Sequence, residues 1–485
     1  SRVADLRGRV LHNETAFIPV QCYVRTRDAD GTAHNPCFAC HRKGRPPNVL
    51  DDSDLQVLVE FPEAARRNPW SNAWADRSQA LALDDDAIDA WVARDNYRGG
   101  RALAERLASI PPAWDVDGDG TWGGFVPDAR MHFDARGFDT EDDGTPRGWR
   151  AFGYAFLPGF WPMNGSWGDA LIRLPEPFRT TADGQTDLDL YAVNLAILEA
   201  LFTRKDVDII ATDEAALGVD LDHDGALGTA TQVVFRHDPR HGVRMQYVGA
   251  AADLDPRQVT VGLYPEGTEL LHTVRYLDTT GDTVTMAPAV KEVRYLRKDL
   301  FLLPGQLEMD IHGEALAASR DLDRIEVQVG NPEKGLDNGK GWTVQGFIED
   351  AEGELRPQTF EETAYCMGCH GGVGANHDST FSFARKTPGP AGWYHWSQGV
   401  RPFAQPRRAD GRGEYALFLK TNGAVDDARS SGVGDALLVD GKVPADVLAA
   451  LDTHAGPAIT PSVEEARRMN QVYRAVVEEQ GFHRG

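Results

Sequence analysis

The sequence has few cysteines and no long apolar run. Five cysteines occur in 485 residues, and four of them belong to two copies of one short motif. No apolar stretch approaches the roughly 20 residues that a membrane-spanning helix needs, so we predict no transmembrane segment. The first residues, SRVADLRGRVLHNE, lack the apolar core of a signal peptide. We therefore expect a signal peptide to have been removed ahead of Ser1.

Basic charge is also scarce. The chain has 50 Lys and Arg against 74 Asp and Glu, which gives a formal net charge of −24. Such a surface repels nucleic acid and anionic lipid and attracts cationic partners. We therefore exclude nucleic-acid binding and expect a partner protein with a basic docking face.

The remaining composition predicts an α+β fold that is rich in loops. A central region rich in Asp, Gly and Trp, which contains the strands, lies between helical segments at the two ends of the chain. We place the region boundaries at 1–113, 114–345 and 346–485.

Hydrophobic spacing predicts the individual elements. Apolar residues at helical spacing predict helices at 84–107, with a break at Gly99-Gly100, and at 191–202. Ser462 and Glu465 form a predicted capping box before a last helix. Stretches rich in Val, Tyr and Thr predict five strands, at 231–237, 243–249, 259–265, 270–278 and 291–298.

The two cysteine motifs are the most informative feature. The stretches NPCFACHR and YCMGCHGG place two thiols three positions apart with a histidine next to the second. At this spacing the thiols can add to the two vinyl groups of a porphyrin while the histidine lies under the iron. The pattern predicts two covalently bound haem c groups, with His41 and His370 as iron ligands. The attachment residues are Cys37, Cys40 and His41, and Cys366, Cys369 and His370.

Two other interpretations of the motifs remain open. Four thiolates can bind one structural zinc, but zinc ribbons usually draw their cysteine pairs from a short span, and here more than three hundred residues intervene. A redox disulfide would favour a thioredoxin-like βαβ context, which neither motif has. The fifth cysteine, Cys22, is interpreted as a buried free thiol.

The second ligand of each iron would decide the chemistry, because an open position permits reaction with a substrate. His272 lies in the strand-like stretch ELLHTVRYLD, where a buried imidazole needs iron, a carbonyl or a carboxylate as its partner. The candidate distal ligands are His272, His395, His377 and His34.

At its six motif residues the chain resembles the c-type cytochromes. Two further stretches, FWPMNGSWGDALIRLPEPFR and GTELLHTVRYLD, look like parts of large bacterial dihaem cytochromes. The resemblance implies a dihaem c-type cytochrome that transfers electrons outside the cytoplasm, in the periplasm or at the cell surface.

Two alternative functions follow from the length of the chain, which exceeds what electron transfer needs. One is a haem oxidoreductase with one open haem, acting as a peroxidase or oxidising a small substrate. Dihaem cytochrome c peroxidases divide labour in this way, although their motifs lie much closer together. The other is a haem-bearing subunit of a surface assembly.

Two acidic stretches resemble calcium loops. DVDGDG and DLDHDG alternate carboxylates before a glycine, as EF-hand loops do. Both lack the glutamate expected at the twelfth position, where Val126 and Thr231 stand, so other oxygen donors would have to close them. Solvated acidic turns without metal are the alternative. The candidate calcium ligands are Asp115, Asp117, Asp119, Asp220, Asp222 and Asp224.

Overall fold

A computed structural model describes most of the chain beyond its first eighty-one residues. The described ranges are 82–98, 103–157, 160–320, 328–371, 378–407, 411–416, 439 and 442–482. They combine helices with a large antiparallel sheet, which confirms a mixed α/β fold. The predictions for Cys22, His34, Cys37, Cys40, His41 and His377 lie outside these ranges. The three predicted region boundaries stay a prediction.

Ten α-helices occur in the described ranges. They are α1 (Asp85–Val92), α2 (Leu103–Ala108), α3 (Leu188–Thr203), α4 (Glu214–Leu217), α5 (Pro304–Arg320), α6 (Phe360–Ala364), α7 (Met367–His370), α8 (Ala445–Thr453), α9 (Gly456–Ile459) and α10 (Val463–Glu479).

Twelve strands occur in the same ranges. They are β1 (Phe138–Thr140), β2 (Pro146–Ala151), β3 (Trp167–Gly168), β4 (Leu171–Arg173), β5 (Val207–Asp213), β6 (Thr229–Val233), β7 (Glu269–Asp278), β8 (Thr285–Lys298), β9 (Val329–Asn331), β10 (Gly335–Asp337), β11 (Trp342–Glu349) and β12 (Leu355–Pro357).

Ten of these strands form one sheet around the β7–β8 hairpin. The order is β1-β2-β4-β7-β8-β11-β10-β9, with β3 also paired to β7 and β12 to β11. Each pair is antiparallel. Strands predicted at 270–278 and 291–298 are confirmed as β7 and β8. Strands β5 and β6 form a separate two-stranded hairpin.

Both faces of the sheet are buried. Because successive strand residues point to opposite faces, Leu270 and Leu296 join the largest apolar cluster of the protein. Their neighbours Leu271 and Tyr295 join a second cluster with Trp149. Burial on both faces explains why β7 and β8 carry apolar residues on both faces and not in strict alternation with polar ones.

Helix α3 lies in the larger cluster and is buried on all sides. Asp187 caps the first turn of α3 by accepting hydrogen bonds from two main-chain N–H groups. At the other end of the helix, the C-cap residue Arg204 adopts a left-handed conformation. A helix that is apolar all round belongs in a core. The helix predicted at 191–202 is confirmed.

The strands predicted at 243–249 and 259–265 are wrong. Neither range contains a strand, and the predicted strand at 231–237 is ordered as β6 only up to Val233. The side chain of Asn194 in α3 replaces a neighbouring strand, because it bonds both the N–H and the C=O of Val248 at 2.8 and 3.1 Å. The Val and Tyr residues of this segment indicate that it is buried, and they do not show that it pairs with another strand.

Replacing Asn194 with alanine should therefore destabilise the protein by about 3 kcal/mol, because it leaves buried main-chain groups without partners. Asn194 is fully buried and also donates to the C=O of Phe178 at 2.9 Å. Urea unfolding measures the change. The exposed amide of Gln232, which holds one hydrogen bond to Asp208, is the matched control. Equal effects of the two substitutions would contradict this account.

The predicted terminal helices have mixed outcomes. The region predicted at 84–107 contains two helices, but the first ends earlier than the predicted break, because α1 ends at Val92 and α2 begins at Leu103. Gly99 and Gly100 themselves lie outside the described ranges. The side chain of Asp95 instead accepts hydrogen bonds from the N–H groups of residues 97 and 98, which favours a turn. The capping box of Ser462 and Glu465 is confirmed at the start of α10.

Candidate functional site

The second cysteine motif begins directly after α6 and contains α7. Thr359 and Glu362 form a capping box that starts α6. Cys366 follows it as a half-buried free thiol, and burial raises the pKa of Cys366 to about 11. His370 ends α7, and its Nδ1 lies 2.6 Å from the C=O of Ser379. Burial also lowers the pKa of His370 to about 4, so this imidazole is neutral at pH 7.

His272 lies on β7, directly opposite Arg294 on β8. Its Nδ1 is hydrogen-bonded to the C=O of Asp169, and its ring lies 5.3 Å from that of Trp161. Burial and the charge of Arg294 lower the pKa of His272. Of the partners expected for this imidazole, the structure shows a carbonyl, which is bonded to Nδ1. The Nε2 atom is the ring nitrogen left to bind a ligand.

The stretches 160–179 and 267–278 pack against each other. The first contains β3 and β4, and both pair with β7 of the second. Gly168 permits the contact, since a Cβ there would lie 2.6 Å from Nε1 of Trp161 and 2.7 Å from Cε1 of His272. Any larger residue at 168 would push the tryptophan and the histidine out of place.

Asp169 is the centre of a buried polar network. Its carboxylate accepts hydrogen bonds from the N–H and Oγ1 of Thr273, both at 2.6 Å, and Arg275 Nε lies 3.9 Å away. Burial alone would raise its pKa, but the hydrogen bond from His395 and the neighbouring charges outweigh burial and lower the pKa of Asp169 to about 2. Asp169 is therefore ionised at neutral pH.

His395 has both ring nitrogens engaged in this network. Its Nε2 lies 3.0 Å from the Asp169 carboxylate, while Nδ1 accepts the N–H of Ser397 and lies 2.7 Å from its Oγ. The Asp169, His395 and Ser397 side chains thus have the composition of a hydrolytic triad. However, His395 is the N-cap of a short helical turn, and its contact with Ser397 belongs to this cap, which indicates a structural role.

A second buried polar group lies where α10 crosses the sheet. Lys291 donates to the C=O of Gly165 at 2.7 Å, and Glu349 accepts from the hydroxyl of Tyr276 at 2.7 Å. Burial lowers the pKa of Lys291 to about 7 and raises the pKa of Glu349 to about 7. Sequence reasoning did not single out either residue, because each stands in an apolar strand whose burial is visible only in the fold.

Glu349 should make stability depend on pH. Its carboxyl ionises near pH 4.3 in the unfolded chain and near pH 7 in the folded one, so its contribution is present below pH 4.3 and is lost as the pH rises to 7. As the pH rises from 4.5 to 8, the free energy of unfolding of Glu349→Gln should therefore increase by about 3 kcal/mol relative to that of wild type. Urea unfolding across this range measures the difference. Exposed Glu352→Gln is the control, and a pH-independent difference for Glu349→Gln would refute the assignment.

The first acidic loop curls around its own carboxylates. Gly120 N–H donates to Oδ2 of Asp115 at 3.0 Å, and Gly118 and Gly120 adopt the left-handed conformation that the turn needs. Glu333, which follows β9, closes the loop: its Oε2 accepts the N–H of Val116 and its Oε1 that of Gly123. Oxygen atoms of Asp115, Asp117 and Glu333 lie within 4.8 Å of one another.

The second loop repeats this geometry. Gly225 N–H donates to Oδ2 of Asp220 at 3.1 Å, and His223 and Gly225 are left-handed at the positions of Gly118 and Gly120. Glu214 in α4 accepts the N–H of Leu221 and of Gly228 on its two oxygens, at 2.6 and 2.9 Å. Loop positions two and nine are therefore joined by one buried glutamate in both loops.

Oxygen atoms of Glu214, Asp220 and Asp222 lie within 4.8 Å of one another. The predicted ligands Asp119 and Asp224 do not join either group, because each accepts an N–H two residues ahead at 2.8 Å. Glu333 and Glu214 were missed from the sequence, since both lie outside the twelve-residue frame of an EF-hand loop.

The loops differ in one respect. Nζ of Lys334 lies 2.9 Å from Oδ2 of Asp117 in the first loop and supplies positive charge there. In the second loop the Oδ1 atom of Asp220 is buried and has no hydrogen-bond partner. A buried carboxylate oxygen without a partner is costly, so the second loop is the better cation site.

Comparison with known proteins identifies the family. A model of a lipoprotein family matches residues 6–434. An uncharacterised lipoprotein of Aquifex aeolicus (strain VF5) is 32% identical over 407 residues, which cover 80% of this chain. The chain spans 64% of the length of that relative. No solved structure matches the chain.

These matches overturn the functional prediction. Neither points to a cytochrome or to electron transfer, so the predicted dihaem c-type cytochrome is wrong, and so are the haem oxidoreductase and the haem-bearing assembly subunit that were derived from it. The resemblance to cytochromes depended on six motif residues and two short stretches, whereas the family match extends over most of the chain. Covalent attachment of haem at the two motifs is a separate expectation that these matches do not test.

No helix in the described ranges is long and apolar enough to cross a membrane. A lipoprotein is held at a membrane by its lipid, which fits a location outside the cytoplasm. By the match over residues 6–434, the chain belongs to this lipoprotein family.

Proposed function

We propose that this lipoprotein is a calcium-binding protein of the periplasm or the cell surface, in which one bound ion fixes the first acidic loop to the large antiparallel sheet and another holds the second acidic loop within the separate β5–β6 hairpin. The observation that carries the proposal is the equivalence of the two acidic loops, each joined at positions two and nine by a buried glutamate. Oxygen ligands from carboxylates are what calcium prefers.

Each ion would reinforce a connection that the fold already makes. The first loop is tied through Glu333 to the β9–β10 edge of the sheet. The second lies inside the β5–β6 hairpin, whose strands pair on either side of it. A cation at each loop would offset the repulsion of its carboxylates and hold these segments in place.

Titration calorimetry on the metal-free chain tests the proposal. Two ions should bind with Kd values of about 10⁻⁴–10⁻³ M, as in other extracellular calcium modules, and the second loop should bind more tightly because Lys334 competes in the first. Asp115→Asn and Asp222→Asn should each remove one site. Asp142, exposed and outside both groups, gives the control Asp142→Asn. Absence of binding at millimolar calcium would exclude the function.

The net charge of −24 also supports a partner with a basic docking face. Bound calcium would lower this negative charge locally at the two loops. A basic partner should therefore bind away from them, and its affinity should fall with rising salt.

A further inference from the structure

His272 and His370 share an arrangement that is independent of the acidic loops. In each ring Nδ1 is hydrogen-bonded to a main-chain carbonyl, that of Asp169 or that of Ser379. A carbonyl oxygen only accepts, so Nδ1 must carry the proton and Nε2 must carry the lone pair. Metal-bound histidines are oriented in this way, because the carbonyl fixes the tautomer and the direction of the free nitrogen.

The two rings belong to one side of the sheet. His272 follows Leu270 by two positions on β7, so both point to the face of the larger apolar cluster. Phe360, Ala364 and Met367, from the helical turns that carry His370, belong to the same cluster. The helix that ends at His370 therefore packs over the face from which His272 projects.

His272 is partly accessible to solvent. Its side chain is 21% exposed, although Leu271 next to it is only 1% exposed. Arg294, opposite His272, is bound at 2.8 Å by the carboxylate of Glu292, so a charge partner already occupies its guanidinium. The donor atoms that the two rings can offer are the Nε2 atoms of His272 and His370, because the Nδ1 atom of each ring is already hydrogen-bonded.

The chemistry of these donors selects the ligand. Among the described residues, the acidic groups that could hold a hard cation lie at the two loops. Neither group contains His272 or His370. Neutral imidazole favours zinc, copper, nickel and iron over calcium and magnesium. We propose that His272 and His370 bind a transition-metal centre through their Nε2 atoms.

Metal analysis of the intact protein tests the proposal. The full chain is purified, saturated with calcium so that the acidic loops are filled, and analysed for bound transition metal; a metal-free sample is then titrated with Co²⁺. We expect one metal per chain that resists dialysis, and a visible Co²⁺ spectrum of imidazole coordination. His272→Ala and His370→Ala should each weaken Co²⁺ binding at least tenfold. The control is His241→Ala, an exposed histidine paired with Asp238.

Intact mass distinguishes the two sources of the metal. A mass equal to that of the polypeptide means a free ion, whereas added mass that fits haem at the motif of Cys366 and Cys369 means a metal that arrives in a covalent group. Either result supports the proposal if both histidines are required. Circular dichroism checks that the variants fold. A wild-type chain with neither bound metal nor Co²⁺ spectrum nor added mass overturns it, as does unchanged binding in either variant.

Discussion

Replacing Asp169 with alanine is expected to lower the free energy of unfolding by about 3–5 kcal/mol, because it leaves the buried cation of Arg275 without its counter-charge. Asp169 is fully buried and accepts three hydrogen bonds, two from Thr273 and one from His395. Those donors would lose their acceptor as well, which adds to the cost.

Chemical denaturation measures this effect, with Asp282→Ala as the control. Asp282 is exposed in the turn between β7 and β8, and its loss should change stability by less than about 0.5 kcal/mol. Acid should mimic the substitution: since the pKa of Asp169 is lowered to about 2, its contribution is lost as the pH falls from about 4 to 2. A loss below 1 kcal/mol in Asp169→Ala would show that the network is not a stabilising centre.

Removing calcium is expected to lower the thermal midpoint by about 3 °C for each loop, given a hundredfold excess of calcium over Kd before chelation. Only the folded chain brings Glu214 together with Asp220 and Asp222, so the ion binds the native state and stabilises it. Asp222→Asn should lose the second loop's share of this shift.

Differential scanning calorimetry with and without a chelator gives the measurement. In calcium-free buffer Asp222→Asn should unfold at or above the wild-type temperature, since it removes a repelling charge from the loop. Asp142→Asn should keep the full calcium shift. If the chelator leaves the midpoint of wild type unchanged, the loops hold no ion that matters for stability.

Local patterns predicted the elements that the sequence itself specifies. The hairpin β7–β8, helix α3 and the cap of α10 could be found because apolar spacing, β-branched content and a Ser-x-x-Glu signal agree at those positions. The strand prediction for residues 243–249 was wrong because the same Val and Tyr content also suits a segment that packs against α3 and is hydrogen-bonded to Asn194.

Only the ligands that lie within each acidic loop could be predicted from the sequence. Asp115 and Asp220 stand out by their alternation, but Glu333 reaches the first loop from 217 positions away in sequence. A closer signal existed for the second loop, since Glu214 stands six positions before Asp220, the first residue of DLDHDG. The cysteine motif drew attention to His370, yet its short length led to a whole-protein function that the family match overturned.

The different origins of the two closing glutamates have a consequence for folding order. Glu214 and its loop lie within one hairpin, so the second site can assemble early, from local contacts with little loss of chain entropy. The first site needs Glu333 and therefore exists only after the sheet has brought β9 beside residue 116. Calcium present during refolding should thus speed an early step through the second loop, whereas occupancy of the first loop should report completion of the sheet.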